Sequence, residues 1–208
     1  MKKIITCVIC LFCLSTSQAK DGKKILDEAV EKIFKSGDVN IGFSATSYNG
    51  TSEQNSTSGK MCLQGRRFYF ETPEMLAWFD GKTQWCYVPE NGEVNITEPT
   101  ERELQVVNPY CFLDIYKKDY KINVKNSTLR GQETYEVHLI AQKATMDAKE
   151  MYIDVRTSDY QILCIRIRQG NDWTRLAITS FQGGQHFGDS TSEFPIEKYP
   201  DAELIDLR

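Results

Sequence analysis

The chain has little of what catalysis usually needs. Among 208 residues only two are histidine, His138 and His186. His138 falls inside an alternating segment. His186 lies in the run Gly183-Gly184-Gln185-His186-Phe187-Gly188, which reads as a turn rather than a site. Neither has a cysteine, histidine or carboxylate at metal-ligand spacing, so no metal is expected. There is no G-x-S-x-G elbow and no H-E-x-x-H. No glycine-rich loop precedes a helix, as phosphate cradling requires. Paired glycosidase carboxylates leave no sequence signature, and surface solvation accounts for the acidic residues. The expectation is a protein without enzymatic activity and without a cofactor. Basic clusters are missing too. The formal charge is −4 with no run of Lys or Arg, which argues against nucleic acid and against standing attachment to anionic lipid. Of the seven cysteines, the four beyond residue 19 are widely spaced with no C-x-x-C pair among them, so zinc and thioredoxin-type chemistry are not expected. No apolar run approaches the roughly 20 residues that span a bilayer.

The N-terminus carries an export pattern. Lys2 and Lys3 precede an uncharged apolar run over 4–14, and Ser17 and Ala19 place small residues where a signal peptidase reads. Residues 1–19 are expected to be a cleavable signal peptide, and 20–208 a single domain. Cys7, Cys10 and Cys13 lack the small residues that precede a lipidated cysteine, so a soluble, unlipidated periplasmic product is expected. Cleavage removes Lys2 and Lys3 and shifts the formal charge from −4 to −6. Cys62, Cys86, Cys111 and Cys164 remain, either paired or buried as free thiols.

Residues 22–36 predict a helix, with Ile25, Leu26, Ala29, Val30, Ile33 and Phe34 on one stripe and Ser36-Gly37-Asp38 as its stop. Strands follow. Alternation predicts them at 39–48, 58–64, 67–72, 75–79 and 82–88, with Val94 and Ile96 in another. Asp80-Gly81 and Asn91-Gly92 are hairpin signals. The pattern then breaks into two short helices at 100–107 and 110–118, interrupted by Asn108-Pro109. Strands resume at 120–125, 134–142, 151–156, 161–168 and 174–181, with a last one near 203–207. About ten short strands joined by turns predict an antiparallel meander, and that many strands curl.

Aromatic placement is the unusual feature. Phe68, Phe70, Trp78, Phe79, Trp85 and Tyr87 crowd into three consecutive strands. Aromatics on one sheet face usually make core. A curved sheet, however, has a concave apolar face to cover, and the only amphipathic elements are the first helix and the 100–118 insert. Helices laid there either fill the concavity or cover a cavity suited to an acyl chain.

Three blocks carry a family resemblance: Ser58-Gly59-Lys60-Met61-Cys62-Leu63; Arg67-Phe68-Tyr69-Phe70-Glu71-Thr72-Pro73; and Trp78-Phe79-Asp80-Gly81-Lys82-Thr83-Gln84-Trp85-Cys86-Tyr87-Val88-Pro89. Together they resemble the periplasmic outer-membrane lipoprotein carrier family of the LolA type, in its Bacteroidetes form. The resemblance covers most of the mature chain, and the hairpin 80–89 is its most specific part. It implies a mainly β fold, an incomplete antiparallel β-barrel with a helical lid and an N-terminal helix. It also implies a monomer that takes acylated lipoproteins from an inner-membrane ABC exporter and passes them to the outer membrane, where an acceptor is a further partner. On this reading Phe43, Met61, Leu63, Phe68, Phe70, Trp85, Tyr87, Val137, Leu139, Leu163, Ile165 and Ile178 line the cavity. Leu104, Val107, Phe112, Leu113 and Tyr116 form the lid. Better-known members carry a lid-latching arginine where this chain has Gly65; Arg67 or Arg66 is the candidate replacement. A rival reading is a half-barrel sensor of the cell envelope that binds a lipid or a protein.

Overall fold

The computed structural model describes residues 21–100, 104, 116, 117 and 119–208. The segment 1–19 expected to be a signal peptide, Cys111 and most of the two short helices expected at 100–118 lie outside the described residues.

The leading helix forms where its stripe predicts. In α1 (Gly22–Lys35), Asp21 caps the start by accepting from the Lys23 and Lys24 amides at 3.0 and 3.4 Å. Lys32 and Lys35 sit in the last turn, where the helix dipole favours cations. Ile25, Leu26, Ala29 and Ile33 are buried.

Among the described residues twelve strands follow: β1 (Asp38–Asn49), β2 (Ser52–Gln64), β3 (Arg67–Glu71), β4 (Leu76–Phe79), β5 (Gln84–Val88), β6 (Glu93–Thr97), β7 (Tyr120–Leu129), β8 (Gln132–Ala141), β9 (Ala148–Arg156), β10 (Ile162–Gln169), β11 (Asp172–Gln185) and β12 (Glu203–Asp206). They make one open, curved sheet in the order β12-β6-β5-β4-β3-β2-β1-β11-β10-β9-β8-β7, not closed into a barrel. All pairs are antiparallel except β12 with β6, which is parallel. The Asp80-Gly81 signal belongs to a four-residue connection: Phe79 pairs with Gln84, and the Asp80 carboxylate accepts from the Lys82 and Thr83 amides at 2.8 and 2.7 Å. That side-chain turn needs the two extra residues.

The order dictates how the sheet is covered. β1 lies in the middle. The chain meanders from it to β6 near one edge, then resumes with β7 at the other edge and meanders back to β11 beside β1. Between β6 and β7 in the chain, Leu104 and Tyr116, 3% and 2% exposed, join the core on the face that α1 covers. α1 packs on the β7–β9 half. Its first residue must be glycine: a Cβ on Gly22 would come within 2.5 Å of Ile122 and 2.6 Å of Val124. Further along, Lys32 meets Asp159 at 2.5 Å, tying the helix to the turn between β9 and β10.

Candidate functional site

Alternation on each strand sorts the side chains onto two faces. Val39, Ile41 and Phe43 of β1, Met61 and Leu63 of β2 and Phe68 of β3 point inward, next to Ala77 and Phe79 of β4. Val137 and Leu139, Met151 and Ile153, and Ile165 and Ile167 continue the surface across β8, β9 and β10. These side chains and those of α1 form one apolar cluster.

Burial across this face is graded. Val137, Leu139 and Ile153 are 0–2% exposed. Phe70, Leu176 and Ile178 belong to the same cluster but are only partly buried. They surround Phe43, which stacks on Phe70 with ring centroids 5.3 Å apart. A cleft of about 550 Å³ opens beside Phe43, lined also by Gly59, Glu71, Thr72, Pro73 and Thr179. Gly59 allows this arrangement. A Cβ there would lie 2.1 Å from the Glu71 carbonyl oxygen and 2.7 Å from the Phe43 ring. The inner face thus has a closed part and an accessible rim.

Among the described residues, one polar contact ties the cover and another ties the sheet to itself. The Tyr116 hydroxyl donates to the Asp27 carboxylate on α1. At the far edge, Arg130, at the tip of the β7–β8 hairpin, donates from Nη1 to the Ile178 carbonyl at 3.0 Å. That carbonyl lies where the β1–β11 register shifts around Thr179, and the bulge re-aims the backbone. Deeper in the face, Tyr120 donates to the Ala148 carbonyl at 2.7 Å, and burial pushes its hydroxyl up to about 12.

Of the twelve expected lining residues, nine fall in this cluster: Phe43, Met61, Leu63, Phe68, Phe70, Val137, Leu139, Ile165 and Ile178. Trp85 and Tyr87 do not. They pair with Trp78 and Leu76 on the outer face. The reason is β4, which is apolar on both faces and so gives no marker of which side is which. Parity is lost in crossing it. The outer face there is covered by the C-terminal segment: Tyr199 lies 4.6 Å from Tyr87 and 5.9 Å from Trp78, and Phe194 lies 5.3 Å from Trp78. Leu163 is buried but outside the cluster. It sits at a register shift between β9 and β10, which turns Ile162 rather than Leu163 inward with Ile165.

Of the expected lid, Leu104 and Tyr116 join the core, while Val107, Phe112 and Leu113 lie outside the described residues. Gly65 and Arg66 make the two-residue turn between Gln64 and Arg67, with Gly65 at φ +60°. Arg67 alternates with Phe68 and so takes the outer face, its stem beside Gly81. Tyr116 and Asp27 also make a tie of the latching kind. Sequence reading missed Leu176, which continues the alternation of Ile178, and Arg130, whose contact spans 48 residues. Cys62, Cys86 and Cys164 are free thiols. Among the described residues no group of three or more His, Cys, Asp or Glu is placed to hold a metal ion.

Among the described residues, an open curved sheet carries α1 on its apolar face, with Leu104 and Tyr116 joining the same core, which is the build of a half-barrel fold. The chain belongs to the family described as outer membrane lipoprotein carrier protein LolA, whose family model matches residues 13–171. Among solved structures, an uncharacterized conserved protein from Thermus thermophilus is similar with a TM-score of 0.61 at 11% identity, over 90% of this chain and 99% of that one. LprF from Mycobacterium bovis gives 0.49 at 9% identity, over 80% and 94%. A LolA superfamily protein from Nitrosomonas europaea gives 0.43 at 10% identity, over 85% and 99%. At such identities the first likeness speaks to the fold alone. Among curated protein sequences none matches the chain.

Proposed function

We propose that this protein is an exported carrier that shields the acyl chains of lipoproteins on its inner face and passes them from the inner to the outer membrane. The observation that carries the proposal is the graded apolar face, enclosed under α1 and accessible at Phe70, Leu176 and Ile178 beside the cleft at Phe43. Family membership supports the same reading. Each methylene withdrawn from water contributes about 0.8 kcal/mol, so even part of an acyl chain held at this rim competes with aggregation. No bond is made or broken. Release needs only that the cover shift, and the crossover is tied to α1 through Tyr116 and Asp27. On this reading the donor is an inner-membrane ABC exporter, the recipient is the outer membrane or an acceptor in it, and the working compartment is the periplasm.

The test is mass spectrometry of protein purified from its native envelope, together with titration of delipidated protein with a triacylated peptide. Co-purifying acylated lipoprotein and saturable peptide binding are expected. Phe70→Asp, which puts a charge on the rim, should abolish both while the protein stays folded. A folded protein that captures no acyl chain in either assay would overturn the proposal and favour an envelope sensor instead.

A further inference from the structure

The outer face of the other half of the sheet carries rows of a different kind. His138, Tyr152, Arg166 and Arg175 stand side by side on β8, β9, β10 and β11. In the next row Glu150, Arg168, Trp173 and Tyr48 follow on β9, β10, β11 and β1. The His138 ring stacks on Tyr152, 4.1 Å between centroids and 5° from parallel. The Arg166 guanidinium lies 4.7 Å from the Tyr152 centroid, and that of Arg168 lies 5.9 Å from Trp173. Such stacking holds the arginine planes upright.

The three arginines differ in how they are neutralised. Arg166 donates to Glu136 at 2.8 Å and reaches Asp154 at 3.4 Å. Arg168 pairs with Glu150 at 2.9 Å. Arg175 lies beside Cys164 and Tyr48, which favour its charged form, and among the described residues no carboxylate forms an ion pair with it. It is also the direct cross-strand partner of Arg166. Like charges opposed in this way are unfavourable unless offset, and Glu136 and Asp154 supply that offset on the Arg166 side only. A fully solvated arginine would need no explanation, but Arg175 is half-buried and lines a cleft of about 380 Å³ with Tyr48, Tyr152, Arg166, Trp173 and Thr174.

We infer that this outer-face cleft is a second ligand site, which binds a small organic oxyanion, a phosphate or carboxylate, on a planar or apolar body. The Arg175 fork supplies the two parallel donors that such an anion matches. The rings of Tyr48, Tyr152 and Trp173 pack the body, and the cleft volume falls in the range that holds a small molecule. The site is independent of the acyl-binding proposal. Trp173 and Arg175 face outward, while Leu176 and Ile178 of the same strand face the inner rim.

The test is a titration of the full chain with phenyl phosphate, benzoate and inorganic phosphate, following the indole N–H resonance of Trp173, assigned with Trp173→Phe. A saturable shift is expected, with phenyl phosphate binding about tenfold more tightly than inorganic phosphate because only it uses the rings. Arg175→Gln should weaken phenyl phosphate at least about tenfold, whereas Lys82→Gln on the distant 80–83 loop should leave it unchanged. A parallel arm pellets the protein with phosphatidylglycerol vesicles. Arg175-dependent pelleting that phenyl phosphate competes away assigns the anion to a lipid headgroup; free-anion binding without pelleting assigns it to a soluble ligand. No saturable shift with any of the three anions, or a shift that survives Arg175→Gln, overturns the inference.

Discussion

The Tyr116 hydroxyl donates to the Asp27 carboxylate, joining the end of the 98–119 crossover to the helix that shares its face of the sheet. In strand order β6 lies near one edge of the sheet and β7 at the other, and this bond ties a core residue that precedes β7 to α1. Tyr116→Phe keeps the buried ring and removes only the hydroxyl. Asp27 is exposed and regains water, so the expected loss is modest, about 1 kcal/mol. Hydrogen exchange at the Leu104 amide, which bonds the Thr100 carbonyl at 3.0 Å, should speed up, as should association with an acyl probe. Unchanged exchange and association would show that the bond does not hold the cover.

Gly59 sits where β2 passes beneath the Phe43 ring and against the Glu71 backbone. Its requirement is for space. Alanine at this position forces β3 away from β2 or displaces the ring. Gly59→Ala should lower stability by about 2 kcal/mol in urea unfolding. It should also weaken acyl-peptide binding, because the Phe43–Phe70 stack forms the rim. A variant with an unchanged midpoint would mean that the neighbouring strands yield freely.

Much of this was legible in the chain. The stripe of Ile25, Leu26, Ala29 and Ile33 and the stop at Ser36 define α1 locally. The alternation of Val39, Ile41 and Phe43 is likewise a property of one segment. Faces became illegible where two burials met. β4 is covered inside by the core and outside by Phe194 and Tyr199, so its apolar run carries no parity to pass on to Trp85 and Tyr87. A single bulge likewise put Ile162 where Leu163 was expected. The contacts that close the site, Tyr116 with Asp27 and Arg130 with Ile178, span 89 and 48 residues. No local period encodes them.

Asp159 makes the anchorage of α1 dependent on pH. The Arg156 guanidinium meets it at 2.7 and 2.8 Å and Lys32 at 2.5 Å. Arg156 first, and Lys32 with it, hold the carboxyl well below the usual carboxylate range. A depressed folded-state value means that the stabilisation is complete above the unfolded value of about 3.9 and is lost as pH falls through the folded one. The urea midpoint should therefore drop between about pH 5 and about pH 2, and Asp159→Asn should show a smaller drop. Equal drops in the two proteins would remove Asp159 from the explanation.

The two faces of the β4–β6 edge can be separated by one substitution. Tyr199 touches Trp78, Tyr87 and Phe194, all on the outer side, whereas Phe68, Phe70 and Phe79 belong to the inner cluster. Tyr199→Ala removes three ring contacts, each contributing on the order of 1 kcal/mol, from a partly buried position. A loss of about 2 kcal/mol in stability is expected, with detachment of the C-terminal segment visible as faster exchange at Lys198 and Ala202. Acyl-peptide affinity measured on the fraction that remains folded should stay at the wild-type value, because no inner-face side chain has moved. If affinity falls in step with Phe70→Asp, then Trp85 and Tyr87 act on the ligand side after all, and the assignment of faces across β4 is wrong.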